Sequence, residues 1–243
     1  MSFDLIRAIK RPFTDLNKLG IGVLLLMIPY LNIITSFFVK GYRLEVARTA
    51  SGKKLDMPRW ENFWSLFLKG LLSWIIGIIY ILPGIILILI SAGNIIYQII
   101  QSGLNQGAIL GNSLTNQLLQ NSLLQNTSMI PVFIIGVLIT LLGAYLTPLA
   151  IVRYSEKYKF KSSFDLGLVF KKAFTGKYFL AMLASGVYTV VVSLIVITIS
   201  LGYATLNIQY LTMALNMILG GLSSFMVIVT SYTIFGEVYT KLK

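Results

Sequence analysis

Residues 70–93 read GLLSWIIGIIYILPGIILILISAG, a stretch without one charged side chain. It opens a longer gap: no Lys, Arg, Asp or Glu stands between Lys69 and Arg153, and none between Lys177 and Glu237. A helix needs about 20 mostly apolar residues to cross a hydrocarbon core of about 30 Å. Each gap therefore holds two crossings and a connection, with apolar runs at 71–93, 129–152, 178–201 and 210–236. Of 243 residues, 56% are hydrophobic and 12% charged, against roughly a quarter charged in soluble domains. Water cannot solvate the exterior of such a chain; lipid can.

The expected fold is all-α, a polytopic integral membrane helical bundle forming a single membrane domain over 1–243. Its parts are a basic amphipathic segment (1–18), a first half (19–93), an uncharged polar connection (94–128) and a second half (129–243). Leu114, Leu118, Leu119, Leu123 and Leu124 in the connection still share one helical face. The order of apolar run, basic stretch, amphipathic helix and apolar run occurs twice, as a repeated organisation.

The run at 19–39 is long enough to cross, but Pro29 and Asn32 sit at its centre. Proline removes a backbone donor and drives the residue before it away from helical angles. The run is either a fifth span or a re-entrant hairpin of two short helices. Pro83 and Gly84 mark a second expected break, in the next run. Thr14 is expected to cap the helix after Pro12.

All 20 basic residues fall in 1–18, 40–69, 153–177 and the last three positions. Basic residues near span ends favour the cytoplasmic side. With 40–69 inside, the four runs from residue 71 alternate and leave the C-terminus in the cytoplasm; the protein is then a multi-pass protein of the cell membrane.

Two in-plane amphipathic helices are expected. In the first, Trp60, Phe63, Trp64, Phe67, Leu68 and Leu71 follow helical spacing, with Asp56 as cap and Pro58 in the first turn, and the helix leads into the next span. In the second, Leu166, Val169, Phe170, Ala173 and Phe174 share a face, and Ser162 with Asp165 resembles a capping box. Arg43, Arg48, Lys53, Lys54, Arg59, Lys157, Lys159, Lys171 and Lys172 are the candidate anionic headgroup contacts. The expected partners are membrane lipids, anionic ones included, and a second copy of the chain or another membrane protein. Nucleic acid is not expected despite a net charge of +12, because these charges flank spans and meet lipid first.

No cofactor, metal site or catalytic residue is expected. The chain has no cysteine and no histidine, which excludes thiolate nucleophiles, imidazole bases and the usual zinc ligand sets. Glycines 70, 77 and 84, and glycines 136 and 143, recur at a spacing of seven and read as packing positions. Glu237 and Lys241 read as an ordinary i, i+4 pair at a helix end.

Gly41-Tyr42-Arg43-Leu44-Glu45-Val46, Met57-Pro58-Arg59-Trp60, Phe67-Leu68-Lys69-Gly70-Leu71 and Ile79-Tyr80-Ile81-Leu82-Pro83 follow one another in an order that resembles the family called domain of unknown function 4013. The segment 225–237 is also similar. The resemblance implies a multi-pass protein of an archaeal or bacterial membrane and carries no activity with it. The expected function is a non-enzymatic membrane component that organises lipid or partner proteins at the cytoplasmic face. The alternative is a permease or channel-like subunit for a small or lipidic solute, which requires a polar cavity lined by Asn32 and reaching into the membrane.

Overall fold

A computed structural model of the protein describes residues 3–52, 56–105, 129–205 and 208–242. These residues form eight α-helices and no strand. They are α1 (Leu5–Lys10), α2 (Leu16–Met27), α3 (Asn32–Thr49), α4 (Phe63–Asn105), α5 (Ile130–Lys157), α6 (Leu166–Ala173), α7 (Gly176–Ala204) and α8 (Gln209–Lys241), with 3-10 turns at Arg11–Thr14 and Phe160–Phe164. Four stretches are long and apolar enough to cross a membrane: Phe63–Gly93, Ile130–Lys157, Gly176–Tyr203 and Gln209–Lys241. Leu89, Leu138, Leu194 and Leu211, among many large apolar side chains on them, point outward. The protein is a multi-pass, all-helical membrane protein.

The starts of α2, α6 and α7 are capped by two carboxylates and a hydroxyl. Asp15, not Thr14, caps α2 by accepting the Lys18 N–H, while the Thr14 hydroxyl donates to the Arg11 carbonyl. Hydrogen bonds from Lys18 hold the Asp15 carboxyl below its ordinary pKa of 3.8. Its stabilising charge is therefore fully present above that value and is lost as pH falls through the lowered one. Asp165 caps α6 by accepting the Leu168 N–H. The expected Ser162 cap does not form, because residues 160–164 are a 3-10 turn in which the Ser162 hydroxyl donates to the Lys159 carbonyl. Thr175 caps α7.

Other expected boundaries move as well. Residues 56–62 are not helical, and α4 begins at Phe63 after Asn62 takes φ 52°. Asp56 is therefore no cap, and Trp60 lies outside the helix. The apolar stripe at 63–71 is the opening of α4 itself. Helix α4 passes Pro83 unbroken and extends to Asn105, beyond the expected end near Gly93. The leucines at 114–124 lie outside the described residues.

The chain forms two compact units, one of Met1–Ile76 with Leu146–Lys243 and one of Gly77–Tyr145. In the second, α4 and α5 approach through glycine: a Cβ on Gly84 would overlap Thr140 and the Gly136 carbonyl, and one on Gly143 would overlap the Tyr80 carbonyl. This close approach is the packing that small residues permit between membrane helices, and it keeps Pro83–Gly84 within one helix.

The first unit is organised around α8, against which α1, α2, α3 and α7 pack. Residues 229–239 of α8 are all buried, whereas Tyr210, Leu211, Met213 and Ile218 near its start are exposed. Arg11 is buried in this unit at 0% exposure. Its guanidinium donates to the Val46 carbonyl (2.9 Å), Thr233 Oγ1 (3.0 Å), Thr49 Oγ1 (2.6 Å) and the Asp56 carbonyl (3.2 Å). Burial pulls its pKa down from 12.5 to about 10, so it remains charged at pH 7. Glu237 is no solvated helix end either: it is 5% exposed and accepts the Asp4 N–H at 3.1 Å.

Candidate functional site

The site begins with the break at residues 28–31. Ile28, placed before proline, leaves the helical region (φ −85°, ψ 113°), and Tyr30 takes φ 66°. The chain reverses, so α3 returns beside α2 and the Thr35 hydroxyl donates to the Leu25 carbonyl. Residues 19–39 are two helices of a hairpin, not one span. Leu82 stays helical before Pro83; of the two expected breaks, only the one at Pro29 and Asn32 ends a helix.

The base of the hairpin is fixed by the motif residues. Gly41 packs on the Leu66 carbonyl, and Gly70 packs on the Phe37 carbonyl, so α3 and α4 meet backbone to backbone. Tyr42 stacks on Trp60, with ring centroids 3.9 Å apart, and donates its hydroxyl to the Pro58 carbonyl. Trp60 donates its indole N–H to the Lys18 carbonyl at 3.0 Å, tying α2 to the segment before α4. Glu45 pairs with Lys69 at 2.8 Å. On the other side of the hairpin, Gly22 lies under the Phe225 ring, and Gly221 packs on the Val23 carbonyl and Met27.

Beyond the hairpin tip lies an open cavity of about 970 Å³. Leu26, Met27, Pro29 and Asn32 of the hairpin line it, together with α8 residues from Gln209 to Ser224. Its polar groups are Asn32, Gln209, Thr212, Asn216 and Ser224, and among the described residues no charged one lines it. The rest is flexible and apolar, including Met213 and Met217. Asn216 is oriented from α7: its Oδ1 accepts from Ser200 Oγ at 3.2 Å and from the Tyr203 hydroxyl. Its amide N–H groups are then the ones left to face an occupant. Uncharged hydrogen-bonding groups on a soft apolar wall suit an uncharged molecule that carries acceptor oxygens.

The candidate headgroup residues divide by environment. Arg43 donates to Ser73 and lies over the Tyr232 ring, Arg48 lies over Tyr158, and Lys172 lies 3.9 Å from the Tyr239 ring centre, where burial lowers its pKa. Arg59 is exposed beside Glu61, and Lys157, Lys159 and Lys171 are exposed. Lys53 and Lys54 lie outside the described residues. On α6, Val169 and Ala173 turn into the core while Leu166, Phe170 and Phe174 remain outside.

Sequence reasoning reached Asn32 because a proline stood beside it. It missed Gln209, Thr212 and Asn216, which sit in an apolar run where isolated polar residues every three or four positions were a usable signal. It also left Arg11 among the charges of the basic amphipathic segment 1–18, and nothing in its local sequence distinguishes it from Arg7 or Lys10.

Neither the curated proteins nor the solved structures contain a match to the chain. The model of the protein family of unknown function DUF4013 matches residues 21–201, a stretch that takes in most of the hairpin and the glycine contacts of α3 with α4, and the chain belongs to that family.

Proposed function

We propose that the protein is a non-enzymatic permease or channel-like component that admits an uncharged solute to the cavity beyond the hairpin tip. The carrying observation is the cavity itself, uncharged, polar-lined and bounded by a broken helix pair. Broken helices place backbone groups and binding sites within membranes, and irregular backbone there is tolerated where it is covered by protein or reached by water.

Simple lengths support the placement. At about 1.5 Å per residue, α8 is roughly 50 Å long, well over a hydrocarbon core of about 30 Å. Its buried stretch, 229–239, then belongs outside the core on the side of the basic segments, and Gln209 lies near the opposite face. Helix α2 is roughly 18 Å long, so a hairpin entering with Lys18 at the interface ends near mid-depth. The cavity fills the remaining depth and opens to the other side. Basic residues on both sides of 19–39 then share the cytoplasmic face with 153–177 and the C-terminus, in accord with the charge rule, in a cell membrane. The absence of histidine and cysteine, and of any acid deep in a span, supports a role without catalysis or proton coupling.

A second reading has the protein organise lipid, or partner proteins, at the cytoplasmic face. The outward Leu166, Phe170 and Phe174 beside Lys171 favour it, as an amphipathic face suited to the headgroup boundary.

One assay separates the two. Proteoliposomes are exposed to gradients of glycerol, urea or erythritol, and shrinkage is followed by stopped-flow light scattering. The expected result is a solute permeability above that of protein-free liposomes, returned to the protein-free value by Asn216→Trp, with no potassium flux. Protein-free permeability for all three solutes overturns the conduit and leaves the lipid-organising reading.

A further inference from the structure

One side of α3 carries polar groups from the hairpin tip to the hairpin base. Asn32, Ser36, Lys40 and Arg43 stand at i, i+4, i+8 and i+11, which is one helical face, and all four are half-buried. Asn32 lines the cavity beyond the tip. Ser36 Oγ accepts from the Lys40 ammonium at 3.0 Å, and that ammonium lies 4.6 Å from the centre of the Phe37 ring. At the far end the Arg43 guanidinium donates to Ser73 of α4 at 3.1 Å and lies 4.8 Å from the centre of the Tyr232 ring of α8. Among the described residues neither cation pairs with a carboxylate, and Glu45, the acid nearest in sequence, is taken by Lys69.

We infer that this face is the inner half of the conduit and that Lys40 is its barrier to cations; the inference rests on the conduit reading above. The lengths agree. From Asn32 to Arg43 the face covers roughly 16 Å at about 1.5 Å per residue, and half of a hydrocarbon core of about 30 Å is about 15 Å. It starts at mid-depth, at the cavity, and finishes beside Tyr232, in the α8 stretch assigned to the side of the basic segments. The direction of Lys40 carries the argument. A helical side chain leans toward the N-terminus of its helix, which on α3 is the tip. Lys40 therefore turns its ammonium to Ser36 and away from the headgroup layer, whereas a lysine beside lipid snorkels outward. A cation held at depth without an acid faces a bundle interior or a water-filled path. The chemistry fits an uncharged solute with acceptor oxygens. Ammonium and guanidinium groups offer donors only, so they bond such a solute and repel a potassium ion, as fixed positive charge does in pores that exclude cations.

The test follows glycerol and potassium in the same proteoliposomes of the full chain. Glycerol is read by light scattering, and potassium efflux by a potassium-sensitive dye with a protonophore present to balance charge. The unaltered chain and Lys40→Arg are expected to pass glycerol and hold potassium. Lys40→Gln and Lys40→Glu are expected to pass glycerol still and to leak potassium, with efflux raised at least about tenfold in Lys40→Glu. Efflux no higher than that of the unaltered chain in both variants, with glycerol flux retained, overturns the barrier and leaves the conduit standing. Lost glycerol flux without a potassium leak in Lys40→Gln also overturns it and makes Lys40 a group that holds the solute or the fold. Chloride flux through the unaltered chain that Lys40→Gln abolishes overturns it in favour of an anion path. Glycerol flux through the unaltered chain no higher than in protein-free liposomes is the failure of the conduit reading and takes this inference with it.

Discussion

Arg11→Ala is expected to destabilise the protein by about 3 kcal/mol, as the loss of a buried hydrogen-bond network does, with a large fall in Tm or loss of the folded chain on purification. The residue joins four parts of the first unit: the turn after α1, the end of α3, the segment before α4, and α8. Val46 belongs to the last turn of α3, whose carbonyls have no helical partner. A cation placed there satisfies one of them and meets the negative end of the helix dipole. Its removal leaves the Val46 carbonyl with only the Thr49 hydroxyl at 3.3 Å, takes the donor from the buried Thr233 Oγ1, at about 1–3 kcal/mol for a buried group left short of its partner, and empties the volume of a large side chain. Arg11→Lys keeps the charge but cannot reach four acceptors with one ammonium, so an intermediate loss is expected. Thermal unfolding in detergent, followed by circular dichroism, measures both; a Tm unchanged in Arg11→Ala would show that the buried guanidinium does not hold the unit together.

Gly41→Val is expected to cost about 3 kcal/mol, the upper end for overpacking, because the obstacle is backbone. A Cβ there collides with the Leu66 carbonyl, and one on Gly70 collides with the Phe37 carbonyl. Neither carbonyl can rotate away as a side chain would, so α3 and α4 must separate. Separation also opens the edge contacts of Phe37 with Phe67 and Trp74, whose ring centroids now lie 5.6 and 5.7 Å apart. Both glycines report one interhelical distance, so Gly41→Val and Gly70→Val are expected to be strongly non-additive. Additive losses in the double variant would contradict a shared contact.

The sequence was most legible where lipid imposes its own rule. Charge-free runs located the four long apolar helices, and Pro29 with Asn32 located the turn of the hairpin. The contacts of the motif residues were less legible. Gly41, Tyr42, Trp60 and Gly70 stood out as a pattern, but stacking of Tyr42 on Trp60 depends on a loop that brings the two together. Asp56 and Pro58 suggested an earlier helix start, yet 56–60 is not helical, with Trp60 stacked on Tyr42, the Pro58 carbonyl bonded to Tyr42 and the Asp56 carbonyl bonded to Arg11. Arg11 and Glu237 were misread for a common reason: charge near a span end normally stays wet, and here the part of α8 beyond the apolar helix faces builds a buried core of its own. The cavity was half visible, since Asn32 signalled a break while its partners on α8 depended on how far the hairpin reaches.

The most direct test of the hairpin and its cavity uses the native absence of cysteine. Single cysteines at Asn32, Ser51 and Ser162 are exposed, in intact cells, to a membrane-impermeant thiol reagent. The expected result is labelling of Asn32→Cys from outside, with Ser51→Cys and Ser162→Cys labelled only after the cells are opened. Protection of Asn32→Cys from the outside, or outside labelling of Ser51→Cys, would contradict a hairpin that enters from the cytoplasmic face and ends beneath an outward-opening cavity.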